Sequence, residues 1–352
     1  MAGHAPRRCG DFRTRYEQEL TWFPSPRSAV ACAIGVALLL LAPLVLKSYG
    51  LALLIQIGIF GIAALGLNLV TGFTGQISLG HAAFFGFGAF CSAWLNNRYG
   101  VPVLLAIPLA GVATALVGLV FGTPAARIKG LYLAIATLAA QVILEDFFSR
   151  ATWFTGGAAG AHANPVDLFG FTFNSDARYL YLVLVFVVLL YAFASNLMRT
   201  RDGRAMVAVR DHYLAAEIMG IALTRYRVLA FALASFYAGV AGALMGHYIG
   251  FVSTESINIL LSVQMLGMII IGGLGSIMGS MLGAAFMVLM PEGVEALFHA
   301  LGSAGGASKA LVYMKEIAIG AVIVLFLVFE PEGLAHRWRQ VKAWWKLYPF
   351  PH

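Results

Sequence analysis

Ser78 and His81 stand three residues apart, so a helix would bring a hydroxyl and an imidazole to one face. Such a pair is the beginning of a nucleophilic site. No acid lies near enough in sequence to orient the imidazole, and a polar helix lining accounts for the pair equally well. The other reacting constellations are missing. No Lys follows a Gly, so there is no GxxxxGK[ST] loop and no self-contained ATPase. There is no HExxH, CxxC or GxSxG. Cys9, Cys32 and Cys91 are too far apart in sequence to suggest a disulfide frame or a metal site. A proton relay would place acids deep in a bilayer. Here Glu145 and Asp146, Glu292 and Glu295, Glu316 and Glu330 fall near the ends of apolar runs. Glu145 and Asp146 either meet a cationic group on a solute or are solvated helix ends. The expectation is a protein without enzymatic activity, metal or cofactor of its own.

The polar residues gather instead in one stretch, Gly66 to Leu95. It carries Asn68, Thr71, Thr74, Gln76, Ser78 and His81, with Gly66, Gly72, Gly75, Gly80, Gly86 and Gly88 between them. An unpaired polar group in hydrocarbon costs several kcal/mol, so this composition belongs where it is buried in protein or lines a watery path. Asn68, Thr71, Gln76, Ser78 and His81 are therefore expected to line a substrate path or pack a gate. Buried hydrogen-bonding glue is the equal alternative. Gly72–Leu79 either crosses the bilayer or re-enters it.

The rest of the chain sets the frame for that stretch. Of 352 residues, 60% are hydrophobic and 11% charged, and mean hydropathy is +0.84. Soluble domains carry roughly 25% charged residues, so this is an integral membrane protein. No charge occurs from Val30 to Leu46, Gly50 to Asn97 or Val101 to Ala126. Runs of this length without alternation predict an all-α polytopic helical bundle rather than a β-barrel. The expected spans are 29–46, 50–70, 76–96, 102–122, 130–148, 179–198, 228–249, 258–275, 280–298 and 311–329. That is ten, with eight possible if two crossings are lost in the glycine-rich stretch. With the N-terminus inside, 17 of the 23 Lys and Arg residues fall on the inner side and 6 on the outer. This asymmetry predicts both termini in the cytoplasm. It also makes the net charge of +7 a matter of topology rather than nucleic-acid binding. Residues 1–28 form the expected cytoplasmic tail, 29–335 the membrane domain with an outer loop at 149–178, and 336–352 a basic, aromatic tail suited to a lipid interface.

The inner loop, 199–227, contains a short helix from Arg210 to Ile221. Asp211 is its expected N-cap and Gly220 suits its end. Leu214, Ile218 and Ile221 share a face, with Ala215 and Met219 beside it, and that face needs a surface to cover it. Two glycine series, Gly242, Gly246, Gly250 and Gly275, Gly279, Gly283, repeat every four residues and predict close helix packing.

At these residues the chain resembles a known family. GLNLVTGFTGQISLGHAAFFGFGAF, LYLAIATLAAQVI, TGGAAG, AAEIMGI, FALASFYAGVAGALMGHYIGFVS and MIIIGGLGSIMG follow the order seen in permeases of branched-chain amino-acid ABC importers. The likeness covers roughly 30–335 and is closer to the LivM-like half than to its LivH-like partner. The resemblance implies a second, homologous permease, two cytoplasmic ATP-binding subunits and a periplasmic solute-binding protein, in a bacterial inner membrane. ATP would be bound by the partner subunits, and solute would move by alternating access. It makes Asp211–Ile221 a coupling helix, with Ala215, Ala216, Glu217 and Gly220 on the family's Ala-Ala-Glu…Gly pattern. Gln141 stands where many members carry a Glu, which places it among the expected path residues. It also leaves the solute open between branched-chain amino acids and the urea, amides or aromatic acids handled by other members. The remaining alternative is an ion-coupled secondary transporter.

Overall fold

The computed structural model describes residues 26–128, 130–168, 171–173, 175–300 and 308–347. The expected N-terminal tail therefore lies almost wholly outside the described residues, as does the end of the C-terminal tail. The elements are α1 (Pro26–Val45), α2 (Ser48–Thr71), α3 (His81–Tyr99), α4 (Val103–Ala125), α5 (Leu131–Arg150), α6 (Thr152–Thr155), β1 (Ala161–His162), β2 (Asp167–Leu168), β3 (Phe171–Thr172), α7 (Asp176–Arg199), α8 (Arg201–Asp211), α9 (Tyr213–Ile218), α10 (Leu223–Ile249), β4 (Phe251–Val252), α11 (Ile259–Gly272), α12 (Ile277–Ala300), α13 (Ser308–Phe329) and α14 (Gly333–Leu347). The strands are two short antiparallel pairs, β1 with β4 and β2 with β3.

Every expected span coincides with a helix. Among the described residues, six helices are by themselves long and apolar enough to cross a membrane. A seventh span results if α13 and α14, bent by 50° at their junction, count as one. The chain is a multi-pass membrane protein of all-α architecture. Two expected spans start or stop differently. The third begins at His81, because residues 72–80 are not helical. The eighth, α11, has only 14 residues. At 1.5 Å per residue it covers about 21 Å, short of the roughly 30 Å hydrocarbon core.

α10 is the hub. It packs against α2, α3 and α4, while α2 also meets α7 and α12, and α12 meets α11. Water-driven burial does not operate between helices in lipid, so contact has to come from close backbone approach. A Cβ on Gly242 would sit 1.8 Å from the Phe85 carbonyl oxygen, and one on Gly283 would sit 1.8 Å from that of Met268. A Cβ on Gly279 would lie 2.6 Å from the Gly272 carbonyl oxygen, and one on Gly246 2.9 Å from Val252 Cγ2. Gly250 and Gly275, expected on the same faces, lie instead at helix ends. Both have positive φ, 80° and 74°, and Gly250 ends α10 in the left-handed conformation. The outer faces of α1 and α13 leave Leu44, Val45, Val328 and Phe329 exposed, as lipid-facing helices do.

One end of the bundle holds α8, α9 and the arginines around them and is called the basic end here; α6 and β1–β4 lie at the far end.

Candidate functional site

The break between α2 and α3 is held by the polar residues that make it costly. Asn68, Thr71, Thr74, Gln76, Ser78, His81 and Gln141 are all buried. The main chain leaves α2 at Thr71 and stays near it. Gln76 N–H donates to Val70 O at 3.0 Å, and Thr71 Oγ1 donates to Gln76 O at 3.1 Å. By His81 the chain has climbed back to the level of Ala63, where His81 Nε2 lies 3.0 Å from the Ala63 carbonyl oxygen. Eight residues of α2 separate those levels, about 12 Å. Residues 72–80 therefore double back along α2 as a non-helical segment. No hydrogen bond joins Ser78 to His81 among the described residues, so the two do not form a nucleophilic pair.

A helix that begins inside a bundle exposes backbone N–H groups that water would otherwise satisfy. Side chains from α5 and α11 do so here. Leu79 N–H donates to Thr137 Oγ1 at 2.9 Å, Ala82 N–H to Ser262 Oγ at 2.9 Å and Ala83 N–H to Gln141 Oε1 at 2.8 Å. Gln141 Nε2 in turn donates to Glu145 at 2.7 Å. Thr137, Gln141 and Glu145 recur every four residues and form one polar stripe on α5. Asp146 lies off this stripe and pairs with Arg150 at the surface.

A second break meets the first near the basic end. Asn68 Nδ2 donates to Ser276 O at 2.9 Å and to Ser280 Oγ at 2.8 Å, and Asn68 Oδ1 accepts from Gly275 N–H at 2.9 Å. One buried amide thus ties α2 to the α11–α12 turn.

At the basic end, α8 runs through Asp211, so Asp211 is not the cap of the next helix. Its carboxylate pairs with Arg210 at 2.8 Å, and His212 Nδ1 accepts the Ala215 N–H at 3.4 Å as the cap of α9. α9 closes as expected at Gly220. With φ +82°, Gly220 donates to Glu217 O, and Ile221 N–H donates to Ala216 O. These two bonds make a Schellman motif. Ala216 is the inward residue of α9. Leu214 is 50% exposed, Ile218 85% and Met219 81%. Ile221 falls beyond the glycine turn, so the apolar face consists of Leu214, Ile218 and Met219. Beside it opens a cavity of about 520 Å³, lined by Arg127, Glu217, Thr224 and Arg227 among others.

The far end is stapled more tightly. Thr155 is buried and donates to Phe148 O, while Gly156, Gly157 and Gly160 all have positive φ. A Cβ on Gly156 would sit 2.2 Å from the Gly160 carbonyl oxygen, so this turn requires glycine there. Buried His247 bridges Ser92 Oγ at 2.8 Å and Asn164 O at 2.7 Å. Trp94 gathers Tyr99, Trp153 and Phe154 around it.

Comparison with known proteins places this geometry. The family described as the permease component of branched-chain amino acid transport systems matches residues 49–327. The chain belongs to this family. The permease is 32% identical over 300 residues to the high-affinity branched-chain amino acid transport system permease protein LivM of Salmonella typhimurium, covering 78% of this chain and 67% of that one. It is 31% identical to LivM of Escherichia coli with the same coverage. Identity to LivH of Salmonella typhimurium is 23% over 295 residues, covering 79% and 91%. No solved structure matches. The matched range takes in both breaks, α9 and the far-end staple. Thr137, Ser262, Ser276 and Ser280 complete the permease's break network but escaped the sequence reading. Thr137 carried a signal in its spacing of four from Gln141, and Ser276 in its place within MIIIGGLGSIMG.

Proposed function

We propose that this chain is one of two homologous membrane subunits of an ATP-binding-cassette importer for branched-chain amino acids. It would sit in a bacterial inner membrane with both termini in the cytoplasm, making the basic end cytoplasmic. Two ATP-binding subunits bind the nucleotide, a LivH-like permease completes the path, and a periplasmic protein delivers the solute to the far end. The names of the relatives support the solute class.

The observation that carries the reading is the face of α9. A six-residue helix leaves Leu214, Ile218 and Met219 uncovered next to a charged cavity. In water such a face costs about 1.5–3 kcal/mol per large apolar side chain relative to burial. An ATP-binding subunit covers it, with Ala215, Glu217 and Gly220 fixing the approach. Closure of the two ATP-binding subunits then moves α9, and the paired membrane subunits alternate between inward and outward access. Asn68, Thr71, Gln76, Ser78, His81 and Gln141 hold the wall of the path from behind, and the solute meets the surfaces they position.

The test is affinity purification of the chain from its native membrane in mild detergent, with mass spectrometry of co-purifying chains and an ATP hydrolysis assay. Recovery of an ATP-binding chain and a second permease is the expected result. A chain that purifies alone and moves solute on an ion gradient sinks the reading.

A further inference from the structure

We propose that Arg210 is the positioning residue through which the α8–α9 segment holds both membrane breaks in register, and so links α9 to the path. The inference rests on the importer reading above. Arg210 is separated from His212, the cap of α9, by Asp211 alone. Its side chain leaves that segment and enters the bundle. Nη1 donates to the carbonyl oxygen of Gly72 at 2.8 Å. Gly72 caps the C-terminus of α2, where the carbonyls have no helical partner. Nε and Nη2 meanwhile hold Asp211 Oδ1 at 2.9 and 2.8 Å, which fixes the plane of the guanidinium.

Two glycines make room for this side chain, one from each break. A Cβ on Gly75 would lie 3.1 Å from Arg210 Cγ, and a Cβ on Gly275 would lie 2.6 Å from Nη1. Both have positive φ, 71° and 74°. The 72–80 segment and the α11–α12 turn therefore close on the same guanidinium. Asn68, one turn before Gly72, joins those two breaks from the other side through Gly275, Ser276 and Ser280. A second tether runs in parallel, from Gln76 Nε2 to Arg227 O near the start of α10. Displacing α9 then drags Arg210, and Arg210 drags Gly72 and Gly275 together. The ends of α2, α11 and α12 move as one unit, and α3, bound to α11 through Ala82 and Ser262, follows.

A residue that merely capped α2 would affect stability alone. A positioning residue affects the solute moved per ATP. The experiment uses the co-expressed complex in liposomes, with ATP enclosed and binding protein plus radiolabelled branched-chain amino acids supplied. Arg210→Gln is expected to hydrolyse ATP within about twofold of wild type while uptake per ATP falls about tenfold or more, as loss of a charge-assisted bond implies. Arg210→Lys keeps the charge but not the fork, and recovers part of the ratio. Should the Gln complex fail to assemble, the Lys complex decides on the same ratio. Unchanged uptake per ATP in an assembled variant overturns the proposal while leaving the importer reading intact. A wild-type complex with no ATP-driven uptake overturns the importer reading itself.

Discussion

Replacing Asn68 by Ala separates the two breaks without touching any surface. The amide makes three hydrogen bonds, to Gly275 N–H, Ser276 O and Ser280 Oγ, and the side chain is fully buried. Interhelical hydrogen bonds in membrane proteins contribute about 0.6 kcal/mol each, and buried ones in soluble proteins about 0.5–1.5. Three such bonds sum to about 1.5–4.5 kcal/mol. The Gly275 N–H and the Ser276 carbonyl also lose these partners. The readout is built into the chain, because Cys91 is a free, buried thiol on α3. In a Cys9→Ser, Cys32→Ser background, a thiol-reactive fluorophore reports unfolding as SDS is added to mixed micelles. Asn68→Ala is expected to unfold earlier by the free energy above. A variant within about 0.5 kcal/mol of wild type would refute the assignment of Asn68 as the tie between the breaks.

Four further outcomes follow from the same geometry. Gly242→Val and Gly283→Val each drive side-chain atoms into a backbone carbonyl, and about 1–3 kcal/mol or more of destabilisation is expected in the same titration. Gly320→Ala, where a Cβ meets nothing within 4 Å, should be neutral or slightly stabilising. Ile218→Asp places a charge on the exposed face of α9, so co-purification of an ATP-binding subunit should drop about tenfold or more while the isolated chain unfolds as wild type does. Gln141→Leu strips an acceptor from Ala83 N–H and a donor from Glu145, costing about 1–3 kcal/mol in the thiol assay.

Much of this architecture is written locally. Charge-free runs gave the position of every helix long enough to cross, because the bilayer imposes its thickness on each segment separately. The density of Asn, Thr, Gln and Gly after Gly66 marked a break, since no lipid-facing helix tolerates it. The pattern from Arg210 to Ile221 showed a short helix with a glycine end, since that capping chemistry needs only neighbours, although its start was misplaced.

Other features had no local trace. Asn68 bonds Ser276 and Ser280 from more than 200 positions away, and nothing in the spacing of either segment names the other. How the chain returns after Thr71 depended on which part of α2 His81 would meet, and that is the Ala63 carbonyl. Asp211 looked like a helix cap because Asp is a good one. In the fold α8 continues through it, since Arg210 is drawn to Gly72 and holds the Asp211 carboxylate. Gly250 and Gly275 shared the spacing of packing glycines but serve as turns, because the helices end where the far-end strand and Asn68 take over their backbone. The sequence by itself determined which segments are helices and where polar groups concentrate, for these follow from each segment's encounter with lipid and water. Which polar group satisfies which, and so what the breaks are held by, was decided only when packing brought distant helices together and buried those groups against one another.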